Sequence, residues 1–245
     1  VPWSRTERED AADLAPGVVL HSAPGQPAFP VRLALELFRR AQADLGRERI
    51  TLWDPCCGSG YLATVLGLLE RGSLERVLAS DVSDDALGLA RRNLRLLDPD
   101  GLSERADERR RGARELGKPR YDDFAASADR LRQGLVDAGG ALPTAVGAAD
   151  AFDAGSLGAF LGGDAPDLVL TDVPYGERVT WAGAAPATDR VPALLATLGA
   201  VLPTHAAVVV CDRSRKVDTG GLRCAWRFRV GTRAAAMVRV ADIRG

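Results

Sequence analysis

Apolar positions along the chain fall into short buried runs, each followed by a segment that is apolar on one side. Ile50-Thr-Leu-Trp53 is such a run, with the β-branched and aromatic residues that suit a buried strand. Asp54 to Gly60 reads as a glycine-containing turn, and Leu62 to Leu69 as the first turns of an apolar helix. Arg76-Val-Leu-Ala-Ser-Asp-Val82 predicts a second strand. Asp84 to Leu97 predicts a helix with Ala86, Leu87, Ala90, Leu94 and Leu97 on one side. Pro143 to Asp150 and Asp167 to Asp172 predict a third and a fourth strand, Ala187 to Leu202 a helix, and Ala206 to Asp212 a fifth strand. Leu222 to Val230 and Ala234 to Ile243 pair as a closing hairpin about Gly231-Thr232. Strands that alternate with helices imply a doubly wound α/β sheet, here of seven strands.

Two stretches lie outside this alternation. Residues 1–30 read as a polar arm in which Pro2, Pro16, Pro24, Pro27 and Pro30 prevent long helices. A helix from Val31 to Gly46 follows, apolar along Leu33, Leu35, Leu37, Phe38 and Ala41. It reads as a cover for the sheet, and the loop Gly25 to Arg32 before it as a possible cap on a ligand pocket. Residues 98–140 begin with the breaker Asp98-Pro-Asp-Gly101 and predict two helical pieces, Ser103 to Gly117 and Tyr121 to Ala138. The expected organisation is an arm and capping helix over 1–46, then one catalytic domain over 47–245 carrying a helical insertion at about 98–140.

Composition narrows the function classes. A 46% hydrophobic content fills a core, and a net charge of −1 provides no global field toward nucleic acid, so any such contact is a local patch. The run Arg105, Arg109, Arg110, Arg111, Arg114, Lys118 and Arg120 is interleaved with Glu104, Asp107, Glu108 and Glu115. It reads as a solvated helix face, with an RNA-contacting insertion as the alternative. Arg213, Arg215, Lys216, Arg223, Arg227 and Arg229, with Trp226 among them, are the best candidate RNA patch outside an active site. Cys56, Cys57, Cys211 and Cys224 form no C-x-x-C pair and read as reduced. No apolar run reaches the ~18 residues of a membrane span, and the charged first ten residues are unlike a signal peptide. A cytoplasmic protein without membrane contact is expected. His21 and His205 are isolated and show no metal-ligand spacing, so no metal is expected.

The chemistry gathers where the strands end. Asp54-Pro-Cys-Cys-Gly-Ser-Gly60 has the spacing Asp-x-x-x-Gly-x-Gly, which is neither the dinucleotide fingerprint nor a P-loop. It favours S-adenosylmethionine, whose amino-acid ammonium a carboxylate can receive. Gly58 and Gly60 let the backbone approach a ligand. Asp54, Pro55, Cys56, Gly58 and Gly60 are therefore candidate cofactor contacts. Asp81, 21 residues after Gly60 and followed by Val82, stands where a carboxylate accepts a ribose diol. The alternative is an ordinary N-cap. Asp150 and Ala151 end the third strand, where a side chain can accept from an adenine amino group with Phe152 against the ring; a strand-end acid in a turn is the plainer reading.

Thr171-Asp-Val-Pro-Tyr-Gly-Glu-Arg178 leaves the fourth strand at the same edge. With Asp54 to Gly60 it resembles the Rossmann-fold methyltransferases that modify nucleobase amino groups. Among these it is most similar to ribosomal-RNA guanine methyltransferases, whose paired motifs run Asp-Pro-Phe-Cys-Gly-Ser-Gly and Asn-Pro-Pro-Tyr-Gly-Glu-Arg. The whole chain also resembles the actinomycete avilamycin-resistance methyltransferases that act on large-subunit rRNA. The resemblance implies a class I methyltransferase fold with a reversed final strand pair, S-adenosylmethionine as cofactor, and large-subunit rRNA as substrate and partner; a monomer is expected. It also implies protection of the ribosome from an oligosaccharide antibiotic.

An exocyclic amine donates its lone pair into the ring and is a poor nucleophile. In the family pattern Asp172 accepts one amine proton and the carbonyl of Val173 the other, Pro174 stiffens the loop and Tyr175 stacks on the base. Arg178 would meet phosphate, and Trp181 a neighbouring base unless it fills the core. Asp172 stands where the family has Asn, and Val173 where it has Pro. Unlike Asn, an aspartate can take a whole proton, so guanine N1 competes with N2 as the methylated atom. Two further readings remain: an amino methyltransferase acting on DNA adenine N6 or a protein glutamine, and a cofactor-fold domain that binds RNA without catalysis.

Overall fold

The computed structural model describes residues 11–24, 28–173 and 190–245. Seven strands form one sheet in the order β3-β2-β1-β4-β5-β7-β6. In chain order they are β1 (Ile50–Asp54), β2 (Leu74–Asp81), β3 (Thr144–Ala148), β4 (Leu168–Asp172), β5 (Ala207–Asp212), β6 (Trp226–Val230) and β7 (Arg233–Arg239). The first five are parallel; β7 runs antiparallel to both β5 and β6. This is the expected doubly wound sheet with its final pair reversed. Strand order turns back between β1 and β4, so a crevice opens at their carboxyl ends.

Helices cover both faces. Helix α1 (Val31–Leu45), α2 (Tyr61–Leu69) and α3 (Asp84–Leu94) pack on one face through Leu37, Phe38, Leu66 and Leu87. The insertion, α4 (Pro99–Leu116) and α5 (Arg120–Asp137), joins the same apolar cluster. On the other face α6 (Ala154–Leu161) and α7 (Arg190–Val201) bury Leu157, Leu194 and Leu198 against Trp53 and Val208. Nearly every residue of α2 is buried because it runs between sheet and outer helices, which its all-round apolar sequence allows.

Four expectations need correction. The Asp98-Pro-Asp-Gly101 segment starts α4 instead of breaking it. The Asp98 carboxylate caps the Asp100 N–H at 2.9 Å, and Pro99 occupies the first turn, where a missing N–H costs nothing. Gly101 is required there, since a Cβ would lie 2.0 Å from the Arg95 carbonyl oxygen. The segment before α1 is not a polar arm throughout its described part: Leu14, Val19 and Leu20 are fully buried. The basic run on α4 is not a purely solvated face. Arg105, 5% exposed, donates to the Val19 carbonyl at 2.7 Å, and Arg109 donates to those of Val18 and Gly17, so both clamp the strap at 11–24. Lastly, the end of the last predicted strand is a short helix, α8 (Val240–Arg244).

Among the described residues, no helix is long and apolar enough to cross a membrane. No group of three or more His, Cys, Asp or Glu there could hold a metal ion.

Candidate active site

The turn after β1 is closed by hydrogen bonds to its neighbour strand. Cys57 N–H donates to the Ser80 carbonyl at 2.9 Å, and Gly58 N–H to Asp81 Oδ2 at 2.8 Å. Gly60 has φ of 71° and caps α2. A Cβ on Gly60 would lie 2.7 Å from Leu94 Cδ1 and 3.1 Å from Ala90 Cα. The side where a Cβ would stand faces α3, so glycine sets how tightly the turn seats on that helix.

Asp54 ends β1 at 2% exposure. Its Oδ1 accepts from the Thr171 hydroxyl at 2.7 Å and from Cys56 N–H at 3.2 Å. Burial pushes this carboxyl up to about 7 despite those bonds, and the charges of Asp81 and Asp172 push the same way. A buried acid with two neutral donors has the chemistry of a seat for an alkylammonium group. The expected S-adenosylmethionine carries one on its methionine moiety, and the Asp54 carboxylate is an acceptor that fits it.

Asp81 is committed to backbone on both oxygens, through Gly58 N–H and Ser83 N–H at 3.0 Å. The N-cap of α3 is Ser83, so Asp81 is not that cap. A carboxylate keeps further lone pairs, and a diol would use those. Val82 beside it is 48% exposed. Asp150 forms a turn with the Phe152 N–H at 2.9 Å, as the plainer reading had it, and Ala151 is buried behind it. Pro55 is buried and Cys56 half-buried. Burial raises the Cys56 and Cys57 thiols well above the usual range, so neither is a nucleophile.

Across the crevice, β4 delivers Asp172. Val173 N–H continues the ladder to the Cys211 carbonyl at 3.0 Å, which fixes the backbone as the chain leaves the strand. Pro174, Tyr175, Arg178 and Trp181 lie outside the described residues. The sequence reading missed Arg233. This first residue of β7 is 6% exposed, ion-paired with Asp172 Oδ1, and set over the Phe29 ring with its guanidinium carbon 4.7 Å from the centroid. Burial raises the Asp172 carboxyl, while Arg233 and then Arg213 pull it back down. Cys211 beside them is pushed up to about 12 and stays a thiol. The one signal in the sequence was a charged residue opening an otherwise apolar strand, Arg233-Ala-Ala-Ala-Met-Val.

The candidate RNA patch at this end is thinner than its sequence. Arg227 donates to the Val217 carbonyl at 2.8 Å and to Thr219 Oγ1 at 2.9 Å, and Trp226 packs on the core. Arg213, Arg215, Lys216, Arg223 and Arg229 remain exposed. His205 meets Asp167 at 3.1 Å, and His21 meets Arg92, so neither histidine is isolated.

Comparisons with known proteins agree with this geometry. A family model described as rRNA methyltransferase AviRa matches residues 4–233. The 23S rRNA (guanine(2535)-N(1))-methyltransferase of Streptomyces viridochromogenes is 56% identical over 97% of this chain and 95% of its own. The solved structure of rRNA methyltransferase aviRa from that organism at 2.4 Å superposes with a TM-score of 0.93 at 54% identity, covering 99% of this chain and 98% of its own. A second structure of it, at 1.5 Å, gives 0.93 at 54% identity, with 100% and 98% covered.

Proposed function

The chain belongs to the AviRa family of rRNA methyltransferases, and on that premise we propose that it methylates N1 of a guanine in 23S rRNA. S-adenosylmethionine, when bound, supplies a methyl carbon made electrophilic by its sulfonium. Asp54 would hold its ammonium, Asp81 its ribose hydroxyls with Val82 alongside, Asp150 and Ala151 its adenine end, and the Gly58–Gly60 turn the backbone around it.

The observation that carries the choice of atom is the Asp172–Arg233 pair. Guanine N1 bears a proton and its electrons are usable only once that proton leaves. Asp172 takes it: the N1–H bond breaks, its pair stays on N1, and the carboxylate becomes a carboxylic acid. Burial raises Asp172 toward the weak N1–H acid, and Arg233 pulls it back toward the ionised form that can accept a proton. Val173, Pro174 and Tyr175 complete the loop by family pattern, with the Val173 carbonyl as second acceptor, and Arg178 and Trp181 would contact the RNA. The N1 specificity of the Streptomyces viridochromogenes relative supports the same atom. We further propose that the enzyme is a monomer, acts in the cytoplasm where ribosomes assemble, and protects them from avilamycin-type oligosaccharides.

Incubation with labelled S-adenosylmethionine and unmodified 23S rRNA, followed by nucleoside mass spectrometry, should yield 1-methylguanosine. N2-methylguanosine would overturn the choice of atom. Label only in DNA or protein would overturn the RNA substrate.

Asp54 makes a separate prediction. Only its ionised form attracts an ammonium, so cofactor affinity should rise with pH through about 7 and level off above. The ligand-free protein should show the converse, because a folded pKa above the unfolded value lowers stability as pH rises from about 4 to about 7. Asp54→Asn should bind S-adenosylmethionine roughly tenfold or more weakly and lose the pH dependence in titration calorimetry. A flat wild-type profile would remove Asp54 from this role.

A further inference from the structure

The strap, α3 and α4 line an open cavity of about 300 Å³ that the active-site description does not use. Its walls include His21 from the strap, Arg92 from α3, Arg95 from the turn after α3, and Arg105, Glu108 and Arg111 from α4. With Glu104 also present, the lining holds four arginines against two glutamates. The carboxylates are already engaged: Glu108 with Arg105 at 2.5 Å and Glu104 with Arg95 at 2.9 Å. That leaves Arg92 and Arg111. Arg92 Nη2 lies 2.8 Å from His21 Nδ1, and Arg111 has no ion pair among the described residues.

The Arg92–His21 contact assigns the tautomer. A guanidinium only donates, so His21 Nδ1 is the acceptor and Nε2 carries the hydrogen. Burial, then the charges of Arg105 and Arg92, lower the His21 pKa to about 4, so the imidazole stays neutral in a positive field. The cavity therefore combines a neutral N–H donor with two guanidinium groups that lack a carboxylate. It offers an acceptor-only anion what it needs.

His21 is also held unusually well for a residue in a connecting segment. Its N–H donates to Asn93 Oδ1 at 2.7 Å, and its carbonyl accepts from Asn93 Nδ2 at 3.0 Å. Asn93 is fully buried and gives a third bond, 2.9 Å, to the Ser59 carbonyl inside the glycine turn. One side chain thus couples the cavity's histidine to the loop that seats the cofactor. Core packing alone does not call for a buried amide at this point.

We infer that this cavity binds a backbone phosphate of the RNA substrate and so fixes the register of the RNA against the cofactor turn. The inference rests on the rRNA methyltransferase reading. Donors arriving from three separate elements suit a tetrahedral phosphate, and arginine forks suit its oxygens. Contacts of this kind position a nucleic acid without reading its sequence.

The test is steady-state methylation of unmodified 23S rRNA over a range of salt by wild type, Arg111→Glu and Arg92→Gln. Glutamine keeps a donor for His21, and Arg111 is exposed, so both variants should fold, as melting curves would check. Each should raise the KM for RNA roughly fivefold or more and flatten the slope of log KM against log salt by about 0.7–1. The effect should fall on KM, not on the affinity for S-adenosylmethionine. Unchanged KM and slope in both variants would overturn the assignment. Inorganic phosphate that displaces the wild-type His21 imidazole resonance, with the RNA KM of the variants unaltered, would mark a site for free phosphate and overturn it as well. Wild type in the same series separates the two claims. No transfer by wild type sinks the functional reading and this site with it, whereas normal wild-type transfer beside unaltered variants sinks the site alone.

Discussion

Asp172→Asn should slow methyl transfer to guanine N1 by roughly 10²–10⁴, the usual worth of a positioned general base. The substitution is isosteric and keeps an oxygen for Arg233, so the fold should persist with a modest loss of stability. Cofactor affinity should change little, because Asp172 is the least of the named influences on the Asp54 carboxyl. The experiment also decides between atoms. Attack by the N2 amine needs an acceptor for an N–H hydrogen bond, which an amide supplies, and the related guanine methyltransferases carry Asn at this place. Attack by N1 needs a proton removed outright, which an amide cannot do. A variant that keeps near-wild-type transfer would therefore argue that Asp172 only accepts a hydrogen bond.

Arg233→Met should be the most damaging single change away from the substrate loop. It leaves a carboxylate mostly buried with its principal counter-charge gone. Breaking such a pair costs about 3–5 kcal/mol, toward the lower end here because Asp172 remains 19% exposed on its side chain. At about 2–4 °C per kcal/mol for a chain of this size, the melting temperature should fall by roughly 10 °C. Methionine also forfeits the contact with Phe29. The sign of the catalytic effect follows from the charges. Arg233 pulls the Asp172 carboxyl down against burial, so its loss lets burial win, and the acid limb of kcat/KM should move to higher pH. Arg233→Lys restores the charge but not the fork, and should return the limb most of the way while recovering only part of the stability. A melting-point loss with the acid limb unmoved would show that Arg233 holds the strand ends together without tuning Asp172.

Much of the frame was readable from local pattern. Ile50 to Trp53 could hardly be anything but a buried strand, and the turn and apolar helix after it follow from glycine and period. The acids at 54, 81 and 172 close their strands and Asp150 follows two residues after β3, because the strands that precede them are short. Where the reading failed, a residue's role depended on a partner far along the chain. Asp98-Pro99 looked like a break, yet a capping aspartate before proline is also a helix start, and only Gly101 against Arg95 decides which. Arg105 and Arg109 looked like solvated charge until the strap, 86 and 91 residues away, supplied their carbonyl acceptors.

The sequence by itself thus determined the order of strands and helices and the edge where the acids gather, because side-chain period and turn chemistry act over a few residues. Only the tertiary structure decided what those acids face. Arg233 stands 61 residues from Asp172 and reaches it because β7 enters antiparallel beside β5. That pairing sets the charge of a buried carboxylate, and no local pattern carries it, since electrostatic partners in a low-dielectric crevice are chosen by proximity in space.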